Sequence, residues 1–204
     1  MDKSEQASSV YDKIAEPYAK EFSKPSEHIE EFLDLLPKKA KIIDVGCGVG
    51  VDAGFMASKG FKVIGIDLSK EMLNIARQKY PQLDFRQQDI RKLDFPSNLF
   101  DGIFASCSLI HIPKNDVFAL LENFHHLLKK EGVIYISLQG GKSEEVFVDE
   151  LFKPDEKIFL NIISFDEIKD LLVKNGFSIV KKYEREPKSK NELNYTKLYV
   201  MAKK

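Results

Sequence analysis

The chain has 204 residues, 43% hydrophobic and 31% charged, with a net charge of −1. That is ordinary globular composition, enough for one domain with a sizeable core. It excludes a chain drawn as a whole to nucleic acid by its charge, a scaffold built on disulfides, since Cys47 and Cys107 are its two cysteines, and a span that needs roughly 20 apolar residues in a row.

The sign of the charge is uneven along the chain. Asp12, Glu16, Glu21, Glu27, Glu30, Glu31 and Asp34 crowd the first segment, and Lys181, Lys182, Arg185, Lys188, Lys190, Lys203 and Lys204 the last. Two solvated faces are the expected result. Met1 to Gln6 lacks the basic-then-apolar pattern of a secretory leader, and two thiols outside any metal spacing fit a reducing compartment, so a cytoplasmic location is expected.

In chain order, Ser4 to Ser23 carries Val10, Tyr11, Ile14, Ala15, Tyr18 and Phe22 at helical spacing, with Pro17 expected to kink or split the helix. Ser26 to Leu36 predicts a second, amphipathic helix with Ile29, Phe32, Leu33 and Leu36 inward, stopped by Pro37. Lys41-Ile-Ile-Asp-Val45 then reads as a buried strand, followed by Gly46-Cys-Gly48-Val-Gly50. The glycines suit a tight turn that lets backbone approach a ligand where a Cβ would collide. Val51 to Lys59 follows as a helix closed by Gly60. Strand, glycine turn and helix N-terminus together make a site for an anionic or polar group. The spacing departs from the dinucleotide fingerprint, because Val51 stands where that pattern wants its third glycine. A second strand, Phe61 to Ile66, ends at Asp67, about 20 residues beyond the glycine turn, the separation at which such folds offer a carboxylate to ribose hydroxyls.

Ser69 predicts the cap of the next helix, with Met72, Ile75 and Ala76 inward and Pro81 at its end. Leu83 to Gln87 is a third strand with Gln88-Asp89-Ile90 as its outlet, and Phe100 to Ser106 a fourth, apolar enough after Asp101 to be central. Lys114 to Lys130 predicts a long helix and Val133 to Leu138 a fifth strand. Gln139 to Asn161 reads as an irregular polar and aromatic stretch of the kind that carries substrate contacts. Ser164 with Glu167 resembles a capping box for a helix that stops at Asn175-Gly176. Phe177 to Tyr183 and Tyr195 to Met201 predict a closing hairpin around a polar, mobile turn, Glu186 to Asn194.

Four stretches in this order, Asp44-Val-Gly-Cys-Gly-Val-Gly50, Gly65-Ile-Asp-Leu-Ser-Lys-Glu-Met-Leu73, Gln87-Gln-Asp-Ile90 and Phe100-Asp-Gly-Ile-Phe-Ala-Ser106, resemble the ordered motifs of class I S-adenosylmethionine-dependent methyltransferases, and the small-molecule type in particular. The resemblance implies an α/β, doubly wound, Rossmann-like sheet of seven mostly parallel strands with the last antiparallel, behind an N-terminal helical lid. It divides a single domain, 1–204, into a lid over 1–36, a cofactor-binding core over 37–138, a substrate-side insertion over 139–163 and a closing helix and hairpin over 164–204.

It also implies roles. Tyr11 and Tyr18 would close over S-adenosylmethionine. Asp44 would sit near its ammonium group, with Gly46, Cys47 and Gly48 running beside the methionine part. Asp67 would take both ribose hydroxyls, Leu68 and Met72 would flank the adenine, Asp89 would take its amino group and Ile90 would donate a backbone N–H. Ser106 would end the fourth strand at the ligand side. Methyl transfer from a sulfonium is an in-line displacement that alignment and desolvation can accelerate without an obligatory acid or base. His111 is nonetheless a candidate base for an oxygen or nitrogen acceptor, with a pocket-wall histidine as the plainer alternative. Four histidines without matched acid ligands make no metal site, so none is expected.

A small-molecule acceptor is favoured because the segment after Ser106 lacks both the Pro-Pro-aromatic motif of amino-methylating enzymes and a Pro-Cys nucleophile. No nucleic-acid or membrane partner is expected. Methylation of RNA or protein, a non-catalytic binding module and a nucleotide-linked oxidoreductase remain the alternatives, the last disfavoured by the glycine spacing.

Overall fold

The computed structural model describes residues 2–188 and 192–204; Lys190 and the centre of the expected polar turn lie outside the described residues. Strands β1 (Lys41–Val45), β2 (Lys62–Asp67), β3 (Asp84–Gln87), β4 (Phe100–Ser106), β5 (Leu128–Gly140), β8 (Ser178–Arg185) and β9 (Thr196–Lys203) form one seven-stranded sheet in the order β3-β2-β1-β4-β5-β9-β8. The β3-β2-β1-β4-β5 part is parallel, and β9 runs antiparallel to both β5 and β8. The chain order reverses between β1 and β4, and in open sheets of this kind ligands bind outside the carboxyl ends of the strands at that point.

Helices α3 (Val51–Ser58), α4 (Lys70–Lys79), α5 (Lys114–Leu127) and α6 (Phe165–Lys174) accompany the sheet. Ile42, Ile43 and Val45 of β1 are fully buried, as are Ile103, Phe104 and Ala105 of β4, because helices and loops cover both faces. Ser69 Oγ caps α4 by accepting from Met72 N, and Ser164 Oγ caps α6 by accepting from Glu167 N. The carboxylate of Glu167 does not complete a capping box; it pairs with Lys114 and accepts from Ser143 Oγ.

Helix α1 (Lys3–Glu21) runs on through Pro17 rather than splitting there. The second expected helix is reduced to α2 (Ile29–Leu33). His28 precedes it at φ 61°, with its ring stacked on Tyr183 at 3.9 Å, so the chain leaves helical geometry to make a contact with β8. Strand β5 begins at Leu128, earlier than the apolar run suggests, and its pairing with β4 shifts register between Leu128 and Val133.

The stretch expected to be irregular is a second, two-stranded antiparallel sheet, β6 (Glu144–Asp149) against β7 (Lys157–Ile162). Ile158, Phe159, Leu160 and Ile162 of β7 are buried, and the β-branched and aromatic residues that make this possible face α1 and the main core. The charge asymmetry is met in part within the molecule: Glu27 pairs with Arg185 and Lys188, and Glu31 with Lys181, so some acids of the first segment meet bases of the last.

Candidate active site

The glycine turn is built by its neighbours. Gly46 N and Cys47 N both donate to Ile66 O, at 2.7 and 2.9 Å, which folds the turn back across the end of β2. Gly46 has φ 75°, and a Cβ there would stand 2.4 Å from Ser108 Cβ, so no other residue fits. Gly48 faces open space, with Tyr18 the nearest group to its missing Cβ at 4.0 Å.

Asp67 fastens this turn to the next helix. Its Oδ2 accepts from Gly48 N at 2.7 Å and its Oδ1 from Ser69 N at 2.8 Å. Each carboxylate oxygen keeps a further lone pair, enough to accept two vicinal hydroxyls. Burial pushes the Asp67 carboxyl up, against the lowering effect of those backbone N–H groups.

A cavity opens over this turn, roofed by α1. Gly46, Gly48, Asp67, Leu68, Met72, Asp89, Ile90 and Ser106 line it, and so do Tyr11, Tyr18 and His111. Eleven of the residues singled out in the sequence therefore converge on one space. Two do not reach its wall. Cys47 is buried in the apolar cluster with Phe85, because the tight turn aims its side chain back into the core, and its share in the site is backbone only. Asp44 is 1% exposed and sits beneath the turn. Its Oδ2 has no hydrogen-bond partner among the described residues, and neither has Ser108 Oγ, which packs against Gly46. Burial, then the neighbouring carboxylates of Asp52 and Asp67, push the Asp44 carboxyl well above the usual range.

Residues outside the motifs complete the wall: Ser4, Ala7 and Ser8 from α1, and Cys107, Ser108 and Ile112 after β4. The α1 positions share a signal that was available, since 4, 7, 8, 11 and 18 fall on one helical face. Cys107 carries none; it adopts φ 51° so that its N–H reaches Ser137 Oγ at 2.9 Å.

His111 and Tyr11 form a pair. Tyr11 Oη and His111 Nε2 are 2.9 Å apart, and His111 Nδ1 is 2.8 Å from Phe159 O. A carbonyl only accepts, so Nδ1 carries the proton and Nε2 accepts from the Tyr11 hydroxyl. Burial pushes the His111 pKa down to about 4, which fixes the ring as neutral imidazole near pH 7. Its free lone pair is already taken, so His111 orients Tyr11 more readily than it removes a proton. Asp89 accepts from Arg91 through both oxygens, at 2.7 to 3.0 Å, and from Arg91 N at 2.9 Å. Burial pushes Asp89 up, but these bonds outweigh it and its pKa is lowered. No group of three or more His, Cys, Asp or Glu able to hold a metal occurs among the described residues.

A doubly wound sheet with a glycine turn at its switch point and a carboxylate at the end of the next strand defines a nucleoside-binding domain. Comparison with known proteins narrows this. A methyltransferase-domain family matches residues 42–132. YqeM of Bacillus subtilis is 36% identical over 128 residues, 60% of this chain and 52% of its own length. The chain spans about half, or less, of the length of the curated relatives it matches. Among solved structures, 1,6-didemethyltoxoflavin-N1-methyltransferase of Burkholderia thailandensis, with bound 1,6-didemethyltoxoflavin and S-adenosylhomocysteine, is 19% identical with a TM-score of 0.73, covering 97% of this chain and 86% of its own. The [4+2]-cyclase SpnF is 16% identical with a TM-score of 0.78, covering 99% and 97%. These two share the fold. Residues 42–132 thus resemble a methyltransferase domain, and the chain shares the fold of solved S-adenosylmethionine-dependent methyltransferases.

Proposed function

We propose that this chain transfers a methyl group from S-adenosylmethionine to a small-molecule acceptor. The observation that carries the reading is the pair of unpartnered buried atoms at the glycine turn, Asp44 Oδ2 and Ser108 Oγ. The Asp44 carboxyl has one backbone partner, Ala53 N–H; leaving its other oxygen buried and unpartnered is costly, and two further acids press on it. A ligand bringing an ammonium group and a positive sulfur to this turn supplies the missing charge; a pyrophosphate would add to the repulsion. The chemistry that S-adenosylmethionine supplies when bound is an activated methyl group.

The residues divide the remaining work. Gly46 and Gly48 let backbone approach the amino-acid part, Asp67 accepts from the ribose, Leu68, Met72 and Ile90 enclose the base, and Asp89 accepts from its amino group. Tyr11 and Tyr18 on α1 exclude water, so that alignment and desolvation provide the acceleration. His111, held neutral, fixes the Tyr11 ring by accepting a hydrogen bond from its hydroxyl. The fold alone does not carry methyl transfer, since one neighbour of the same architecture is a cyclase by name.

A small-molecule acceptor is supported by a cavity roofed by α1 and by the pairing of Lys181, Arg185 and Lys188 with Glu31 and Glu27, which leaves less free charge for RNA. The toxoflavin enzyme provides a precedent within this fold. No helix among the described residues is long and apolar enough to cross a membrane, and two free thiols are consistent with a cytoplasmic setting. The test is release of S-adenosylhomocysteine from S-adenosylmethionine across a panel of oxygen and nitrogen small-molecule acceptors, with bulk tRNA and a peptide library alongside. Turnover confined to small molecules is expected; turnover on RNA or peptide only, or tight binding with no turnover on any acceptor, would overturn the reading.

A further inference from the structure

Arg91 is not among the residues the motifs single out, yet it carries the densest ionic contacts at the cavity. It stands in a 3-10 turn, Ile90–Lys92, capped by Asp89, whose Oδ1 accepts from Arg91 N. Its guanidinium holds Asp89 through Nε and Nη2. The same guanidinium holds Asp2, with Nη1 2.9 Å from Oδ2 and Nη2 2.9 Å from Oδ1. Asp116 is a third, looser neighbour at 3.6 Å. The Arg91 side chain is 16% exposed, as is that of Asp89, so this is no freely solvated surface pair.

Asp2 is the N-cap of α1; its Oδ1 accepts from Ser4 N at 2.9 Å and Glu5 N at 3.3 Å. One guanidinium thus joins the residue that starts the roof helix to the carboxylate that faces the base. Ser4, Ala7, Ser8 and Tyr11 of that helix cover the cavity, and Ser4 Oγ adds a bond to His111 O at 2.9 Å. Arginine suits the task because its planar fork satisfies two carboxylates at once, which a lysine ammonium on a flexible stem does not.

We propose that Arg91 is a positioning residue that couples occupancy of the nucleobase end of the cavity to docking of α1, by gripping Asp89 and Asp2 together. The inference rests on the methyltransferase reading above. A ligand that fixes Asp89 thereby fixes Arg91 and the cap of α1, and a docked α1 in turn holds Asp89 in place; the two effects are equal by thermodynamic reciprocity.

The experiment uses the full chain and S-adenosylhomocysteine as the probe. Hydrogen exchange over residues 2–21 and calorimetric affinity are measured in the natural chain, in Asp2→Asn and Arg91→Lys, and in the double variant. Asn caps a helix as well as Asp does, so Asp2→Asn removes the ion pair while preserving the start of α1. Thermal melting checks that each variant is folded, and Asp2→Asn supplies the test should Arg91→Lys fail to fold. The ligand is expected to slow exchange in α1 of the natural chain by about tenfold or more, and each single variant to lose most of that protection and to bind roughly three- to tenfold more weakly. The double variant is expected to be little worse than either single one. Ligand-dependent protection of α1 that is unchanged in Asp2→Asn, or affinity losses that simply add, would overturn the coupling. A natural chain that binds no S-adenosylhomocysteine would overturn the reading of the site as well, which separates the two failures.

Discussion

At the scale of single residues, the site is a set of carboxylates with different environments. Asp67 accepts from two backbone N–H groups, so it both shapes the turn and faces the cavity. Asp67→Ala is therefore expected to abolish binding of S-adenosylhomocysteine and also to cost about 1–3 kcal/mol of stability, because Gly48 N–H and Ser69 N–H lose their acceptor. Calorimetry and chemical denaturation check the two effects separately. Asp44 makes a different prediction. Its folded pKa is raised by burial and by Asp52 and Asp67, so the stability tied to its proton is present at acid pH and is lost as pH rises through the raised value. A cation beside Asp44 favours the charged form. Binding of S-adenosylmethionine is then expected to release a proton and to tighten as pH rises, and Asp44→Asn to remove that dependence; titrations in buffers of different ionisation enthalpy measure it. His111 has the opposite sign. Its folded pKa, about 4, lies below the ordinary histidine value, so its contribution is present above that ordinary value and declines as pH falls toward 4. Tyr11→Phe is expected to leave Nε2 without its donor and to lower stability by about 1 kcal/mol, with the imidazole proton still on Nδ1 by NMR.

At the scale of elements, α1 is held to the body by groups adjacent to the cavity. Asp12 Oδ1 accepts from Ser69 Oγ at 2.6 Å and from Glu71 N at 3.0 Å, which places an α1 carboxylate at the N-terminus of α4. Asp12→Ala is expected to destabilise by about 1 kcal/mol and to speed proteolysis within α1, while Asp12→Asn behaves nearly as the natural chain. Elements were legible from the sequence where local pattern and tertiary environment agree. The β1 strand, its glycine turn, β4 and the α4 cap all follow from apolar runs and cap chemistry that the structure uses directly. The shortened α2 was not legible, because the reason His28 leaves helical geometry is a ring, Tyr183, lying more than 150 residues away in the chain. The β6–β7 hairpin was hidden for a related reason. Val146 and Val148 alternate correctly, but one edge of the hairpin is exposed and polar, and only pairing with β7 makes the stretch a strand. At the site, motif order brought eight residues to one cavity, with Tyr11, Tyr18 and His111 beside them, whereas Asp2, Asp12 and Arg91 belong to no motif and act through contacts that only the folded chain creates.

At the scale of the whole molecule, the sheet places its switch point beneath α1, and Glu27 and Glu31 meet Arg185, Lys188 and Lys181 across the α2–β8 side. Glu31 is held down to about 2, first by its bond to His28 and then by Tyr183 and Lys181. The stability it brings is present above the ordinary carboxylate range and is lost as pH falls through that range toward 2. The fold thus gives a cavity over the glycine turn that carries Asp67 and Asp89 on a mostly apolar wall. The most direct measurement of the central claim is a crystal structure of the chain with S-adenosylhomocysteine. The account predicts the ligand beneath α1, its ribose hydroxyls on Asp67, its amino group beside Asp44 and its adenine between Leu68, Met72 and Ile90. A ligand bound elsewhere, or this cavity preferring a pyrophosphate-bearing dinucleotide in competition, would contradict it.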